Sequence, residues 1–355
     1  MNEEATMQTF LHCLQSIRCV MADRTWLTNP DEYVCNLSEE TQQLAKTELN
    51  EDKHCRDQAL ASMRHFIMQN PRIINCRMDS NFLLRFLRFT KFSVVQAQET
   101  LERYILLRQT YGIAFNTLDI RIPMMQDLVD LGFLFACPQR DKKGRRVYVV
   151  RPGVFDMNKF TNGDMLRIAA ITFETLIEDE ENQVRGFVYV ADGRGVGLSY
   201  ITLFSPKEAV RLTKNGEKTV PCRHAEIYGI NVHPSMKFVA DFGLSLLSEK
   251  IKSRVKIYST LDDLLSSGNI EHTILPKEYG GITPMTDMIA LWKEELHKSN
   301  KLLLSHDKMQ VHEEMYTSKE RDGAVSALKK GTVWCGGEED PLYGITGNFR
   351  KLEVD

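Results

Sequence analysis

Lys250 and Arg254 lie one helical turn apart at the end of Asn231–Arg254, a spacing that puts two cations on one face of a helix. The residues before them are unusually apolar. At about 100° per residue, Met236, Phe238, Val239, Ala240, Phe242, Gly243, Leu244, Leu246 and Leu247 cover roughly two-thirds of a helical wheel. Lys237, Asp241, Ser248 and Lys252 fill the polar remainder. A helix of this kind suits two roles. It covers an apolar cavity while offering cations to an anionic surface, or it is a core helix ending in basic residues that its dipole favours.

Other chemistry finds less support. The chain has no H-E-x-x-H, no G-x-S-x-G and no G-x-x-x-x-G-K-[ST]. His233 precedes Pro234 and reads as a turn residue rather than a base. Glu178-Asp-Glu-Glu181 has the carboxylates that acid–base work needs, yet consecutive positions point in several directions, so a solvated acidic face is expected. Asp192-Gly-Arg-Gly-Val-Gly197 follows a strand and has glycines that would let backbone N–H groups approach a phosphate. It lacks the full G-x-G-x-x-G spacing and keeps open only the alternative of a dinucleotide-binding enzyme. Leu275-Pro-Lys-Glu-Tyr-Gly-Gly281 reads as a turn pinned to the core by its tyrosine. Eight cysteines without C-x-x-C spacing argue against zinc and against a disulfide framework; no metal or cofactor is expected.

The elements that must carry these residues are legible in outline. With 355 residues, 43% hydrophobic and 26% charged, the chain has room for a large domain and a smaller one. A net charge of −3 gives no global pull toward nucleic acid or anionic lipid, so such binding needs a local patch. No apolar run approaches the roughly 18 residues of a membrane span, and the N-terminus lacks signal-peptide order; a soluble, cytoplasmic protein is expected. Residues 1–36 form an extension. Residues 37–112 carry helical patterns, one capped by Ser38 and running to Pro71, one opening at Asp79, and one from Ser93 to Tyr111. From 125 to 285 the period changes. The β-rich runs 145–151, 184–192, 226–232 and 255–259 alternate with helical patterns, one at Asn162–Glu181 and one opened by Ser205-Pro-Lys-Glu208, which predicts βαβ units and a mostly parallel sheet. Residues 286–355 hold a closing helix and a tail.

Together these segments resemble the CRAL-TRIO family of lipid-binding proteins, in the branch of the α-tocopherol transfer and cellular retinaldehyde-binding proteins and their insect relatives. The resemblance rests on Asp79-Ser-Asn-Phe-Leu-Leu-Arg-Phe-Leu-Arg88, Ile230-Asn-Val-His-Pro234, Glu249-Lys-Ile-Lys-Ser-Arg254, Leu275–Gly281 and the insect-like ending Tyr343–Leu352. It spans about 38 to 298. It implies an α/β fold with an all-helical N-domain, followed by a lipid-binding domain whose mobile gate helix covers a cavity. The implied function is non-enzymatic carriage of a hydrophobic molecule such as a tocopherol or retinoid, with exchange at phosphoinositide-containing membranes. A lipid-responsive scaffold is the alternative.

Carried over by position, Leu166, Ala169, Phe173, Phe187, Tyr189, Ala191, Ile227, Phe238, Phe242 and Leu246 would line the lipid pocket. Arg88, Arg223, Lys250 and Arg254 would meet the phosphoinositide headgroup, with an interdomain salt bridge as the other reading of Arg88. Two departures stand out. Ala225 occupies a position where relatives commonly have a cation, and Thr213–Lys218 is polar and interrupted by Gly216 where relatives are usually apolar.

Overall fold

A computed structural model describes residues 31–110, 115–203 and 216–317, with positions 209, 213, 320 and 321 besides. The readings of residues 1–30, of Ser205–Glu208 and of the ending Tyr343–Leu352 lie outside the described residues.

In the N-terminal part, Ser38 caps α1 (Glu39–Leu49) by accepting from the Thr41 amide at 3.2 Å. The helical stretch expected to run on to Pro71 is divided. Asn50 turns left-handed at φ 64°, and Asp52 caps a second helix, α2 (Lys53–Gln69), through the Cys55 amide. After β1 (Ile73–Asn75), Asp79 caps α3 (Ser80–Phe89), and α4 (Val94–Thr110) follows. One apolar cluster holds these elements together, including Leu60, Met63, Phe82, Phe86, Leu101 and Tyr104.

The second part opens with α5 (Pro123–Asp130) and continues through β2 (Leu134–Arg140), β3 (Arg146–Val150), α6 (Asn162–Leu176), α7 (Glu180–Arg185) and β4 (Phe187–Asp192). Then come β5 (His224–Ile230), α8 (Lys237–Leu246), α9 (Glu249–Lys252), β6 (Val255–Ile257), α10 (Leu261–Ser266) and α11 (Met285–Ser305). The sheet order is β2-β3-β4-β5-β6, with β2 antiparallel to β3 and the other pairs parallel. The expected parallel core is there; β2 was not expected. Its Pro138 and the shifted register between Ala136 and Arg140 mark it as an edge strand, where a missing N–H is tolerated. Helix α11 starts at Met285 and puts Met288, Trp292, Leu296 and Leu303 into this domain's own core. The chain then returns to the N-terminal part, where β7 (Gln310–Val311) pairs antiparallel with β1.

A buried charge network joins the two parts. Arg85 donates to Glu174 at 3.1 Å and to Glu178, while Arg77 donates to Glu178 at 2.8 Å. Glu180 takes Arg88, Asp179 takes Arg140 and Glu181 takes the Thr41 hydroxyl. The acidic run is therefore not a solvated face. Its consecutive carboxylates do point in several directions, but each direction leads to a partner on α1, α3 or β2. Burial pushes the Glu178 carboxyl up, and the Arg85 and Arg77 guanidiniums more than offset this, leaving it below the usual carboxylate range.

Candidate lipid and anion site

Strand alternation places Phe187, Tyr189 and Ala191 on one face of β4, as expected. The parallel register continues that face into β3 and β5, with Tyr148 beside Tyr189 and Tyr189 beside Ile227. Helix α6 covers the β3–β4 side. Its capping box, Thr161 with Asp164, starts it squarely, and Ile168, Ile171 and Leu176 go into the core. Leu166, Ala169 and Phe173 occupy a half-buried stripe. The Phe173 ring stands 5.8 Å from Tyr148 and 6.4 Å from Tyr189. Phe187 is fully enclosed, whereas Ala191 and Ile227 are half-buried.

The segment from Asn231 is not one helix. Asn231, left-handed at φ 55°, leads through a short turn at Pro234–Met236 into α8. At Leu247 the backbone becomes extended, and Ser248 accepts from the Ile251 amide to start α9. A wheel drawn through this break overstates the regularity. From Phe238 to Leu246 no residue is buried; Phe238 is 78% and Phe242 36% exposed, while Leu246 is half-buried. Phe238 thus lies open to solvent instead of lining an enclosed space. The helix is tied at its two ends. Asn231 donates to Asp192 at 3.0 Å, and the Ser248 amide donates to Glu217 at 3.0 Å. Gly216, read as an interruption, is itself helical, and the polar stretch around it supplies Glu217 as a tether.

Asp192 is the hub of the first tie. It accepts from the Tyr279 hydroxyl at 2.6 Å and from the Arg194 side chain at 2.7 Å, and Arg194 lies over the Tyr279 ring. Tyr279 is pushed up to about 12 by its burial and by Asp192. The glycines here are likewise taken up by packing: a Cβ on Gly153 would lie 1.9 Å from the Arg194 carbonyl oxygen. Both charged side chains of the Asp192-Gly-Arg-Gly string are committed to holding the chain, and the backbone amides of Gly193, Arg194 and Val196 are taken by Ile230, Asp192 and Gly193, which weakens the phosphate-cradle reading.

Arg223, Lys250 and Arg254 converge at the amino ends of β5 and β6, though not along a single helix face. Arg223 is fixed by the backbone: its carbonyl accepts from Phe187, and at Gly186 (φ 78°) a Cβ would approach that oxygen to 2.5 Å. Lys250 sits in α9, and Arg254 follows the Ser253 cap and donates to the His224 carbonyl. Burial, Arg254, Lys91 and Arg223 all press the Lys250 ammonium below its ordinary range. Lys91, from the α3–α4 turn, thus belongs to the same field, and nothing in the sequence pointed to it. Among the described residues, Arg223 has one carboxylate partner, Glu48 at 2.9 Å, and Lys250 and Arg254 have none within 4.0 Å. Arg88 is elsewhere. Its guanidinium is fully buried and donates to Glu51 and Glu180 at 2.8 Å each, so it acts as the interdomain salt bridge and is withdrawn from the headgroup set.

Among the described residues no cluster of histidine, cysteine or acidic side chains has the arrangement of a metal site, and no helix is long and apolar enough to cross a membrane. The family model for the CRAL/TRIO domain matches residues 132–281. The "Alpha-tocopherol transfer protein-like" protein of Homo sapiens is 31% identical over 271 residues, covering 75% of this chain and 77% of that protein. "Clavesin-2" of Homo sapiens is 30% identical over 258 residues, covering 71% and 77% respectively. Among solved structures, one titled "Crystal structure of Sfh5" matches with a TM-score of 0.48 at 12% identity, over 76% of this chain and 100% of that one.

Proposed function

The chain belongs to the CRAL/TRIO family, and from that premise we propose that it is a non-enzymatic cytoplasmic carrier. In this reading it holds a hydrophobic small molecule, such as a tocopherol, a retinoid or another lipid, against the Tyr148–Tyr189–Ile227 face and exchanges it at phosphoinositide-containing membranes. The observation that carries the proposal is the pairing of an apolar helix with no fully buried residue from Phe238 to Leu246 with a group of cations of which, among the described residues, Lys250 and Arg254 have no carboxylate partner and Arg223 has only the half-exposed Glu48. Helix α8 is tethered at Asn231 and Ser248 and exposes Phe238 and Phe242 between those ties. An apolar surface of this kind marks a place where something apolar docks. Beside it Arg223, Lys250, Arg254 and Lys91 repel one another, and each gains when an anion arrives. At an anionic bilayer each such cation contributes about 1 kcal/mol of attraction. Binding there would favour a displaced α8, and the ligand would pass between cavity and bilayer.

The test is transfer of a fluorescent tocopherol or retinoid between vesicles with and without a phosphoinositide. Lys250→Ala/Arg254→Ala protein should lose the acceleration that phosphoinositide gives and keep its ligand capacity. Unchanged transfer from phosphoinositide vesicles would remove the headgroup role, and absence of any bound lipid would remove the carrier itself.

A further inference from the structure

A β-bulge decides which way His224 faces. Phe187 pairs with His224 and Val188 with Glu226, so Ala225 is an extra residue in the ladder. In unbroken alternation Ala225 would stand opposite Phe187, with His224 on the far face. The bulge re-aims His224 onto the face that carries Phe187, Tyr189 and Ile227. There the Tyr189 hydroxyl is hydrogen-bonded to His224 Nδ1, with the two rings 5.3 Å apart. A second observation lies one strand away. Tyr148 is 1% exposed, its ring is 4.2 Å from that of Tyr189, and its buried hydroxyl has no hydrogen-bond partner. A buried unpaired hydroxyl is costly unless something completes it.

We infer that Tyr148, Tyr189 and His224 form the polar recognition point of the lipid site, taking one uncharged oxygen group, a hydroxyl or carbonyl, at the end of an otherwise apolar ligand. The inference rests on the carrier reading and deepens it. The chemistry follows from the protonation states. Burial, with Arg254 and Lys250 nearby, pushes His224 down to about 4, and burial holds Tyr189 well above its ordinary range, so both are neutral at neutral pH. In the tautomer whose Nδ1 accepts from the Tyr189 hydroxyl, the neutral imidazole carries its own proton on Nε2, and no described group receives it. Nε2–H and the Tyr148 hydroxyl are then two donors in a wall otherwise made by Phe173, Phe187 and Ile227. A carboxylate would be buried here with no charged group donating to it, since the Arg254 guanidinium is directed at the His224 carbonyl, and burying an unpaired charge costs more than burying a hydroxyl.

The experiment measures binding of radiolabelled phytol, phytane and phytanic acid to the full chain, with vesicles as the competing phase. Phytol should bind at least about tenfold tighter than phytane, and phytanic acid should be weaker than phytol. Tyr148→Phe and His224→Phe should each narrow the phytol-to-phytane ratio about fivefold while phytane binding holds, and His224→Gln, which restores a donor, should recover part of it. If His224→Phe fails to fold, Tyr148→Phe and Tyr189→Phe carry the test. Equal binding of alcohol and hydrocarbon, preference for the acid, or parallel loss of both neutral ligands in a folded variant would overturn the recognition point and leave the carrier standing. If none of the three binds, native mass spectrometry decides: a co-purifying lipid is judged by its terminal group under the same rule, and no lipid at all overturns the carrier reading and this inference with it.

Discussion

If Arg223 meets a membrane anion as proposed, Glu48 is the carboxylate that the anion displaces, and Glu48→Gln should bind anionic vesicles more tightly than the unmodified chain. Its Oε2 accepts from Arg223 at 2.9 Å; the Glu48 side chain is 51% exposed, and that of Arg223 is 21%. A pair with one exposed partner contributes about 0.2–1 kcal/mol to folding, so removing it should hardly move Tm. Glu48 also lies in the last turn of α1, where a negative charge opposes the helix dipole, and its loss there offsets part of the deficit. At the membrane two effects add. One elementary charge close to an anionic surface is worth about 1 kcal/mol, and freeing Arg223 from its partner recovers up to about 0.5 kcal/mol. A sum near 1–1.5 kcal/mol corresponds to about a five- to tenfold rise in partitioning.

The assay is co-sedimentation with phosphoinositide-containing and neutral vesicles at two ionic strengths. The gain should appear only on the anionic vesicles and should shrink in high salt, because the charges involved are near the surface. Glu48→Gln/Arg223→Gln should fall back to the unmodified level or below, since the two substitutions act on one interaction. Equal gains on neutral vesicles, or no gain on anionic ones in a protein of unchanged Tm, would refute the idea that Arg223 shares the headgroup surface.

Two further predictions concern the frame. Glu178→Gln leaves Arg77 and Arg85 buried without their shared carboxylate and should cost about 3–5 kcal/mol, read as a fall in Tm. Because the folded Glu178 pKa lies below its ordinary 4.5, the stability it contributes is fully present above that value and is lost as pH falls through the folded pKa, so the gap between the two proteins should narrow as the pH is taken below 4.5. Tyr279→Phe removes a donor from Asp192, which keeps Arg194 and Asn231; a loss of about 1.5 kcal/mol is expected, with faster hydrogen exchange across residues 231–246 as the sign that the tie at Asn231 has loosened. Slowed or unchanged exchange there would break the link between Tyr279 and α8.

What the sequence disclosed was local. The Ser38 cap, the helix start at Asp79, the centres of the β-rich runs and the anchoring tyrosine of Leu275–Gly281 are set by neighbours a few residues apart and appear where the pattern predicts them, although the run expected from Val184 begins only at Phe187, after the helical turn Glu180–Arg185. The misreadings share a cause as well. The break at Leu247 depends on Ser248 finding both Ile251 and Glu217, the latter 31 residues away. Lys91 enters the cation group from the other domain, across more than a hundred residues, and carries no spacing that would reveal it. Arg88 matched a motif position, yet its environment is decided by Glu51 and Glu180, which only the folded chain brings together.

Ala225 brings these two kinds of information together. In the sequence it was a missing cation, a deficit at the anion site. In the fold it is the bulged residue, and the same backbone irregularity turns His224 toward the lipid face while leaving Arg223 at the strand's entrance. Lys91, from outside the strand, adds a cation to the field at Lys250. The bulge also makes His224 a point shared by both halves of the site. Its carbonyl accepts from Arg254, its ring meets Tyr189, and Arg223 precedes it in the chain. An anion that drew Arg254 outward would take a donor from the His224 carbonyl, one residue's backbone away from the ring that meets Tyr189.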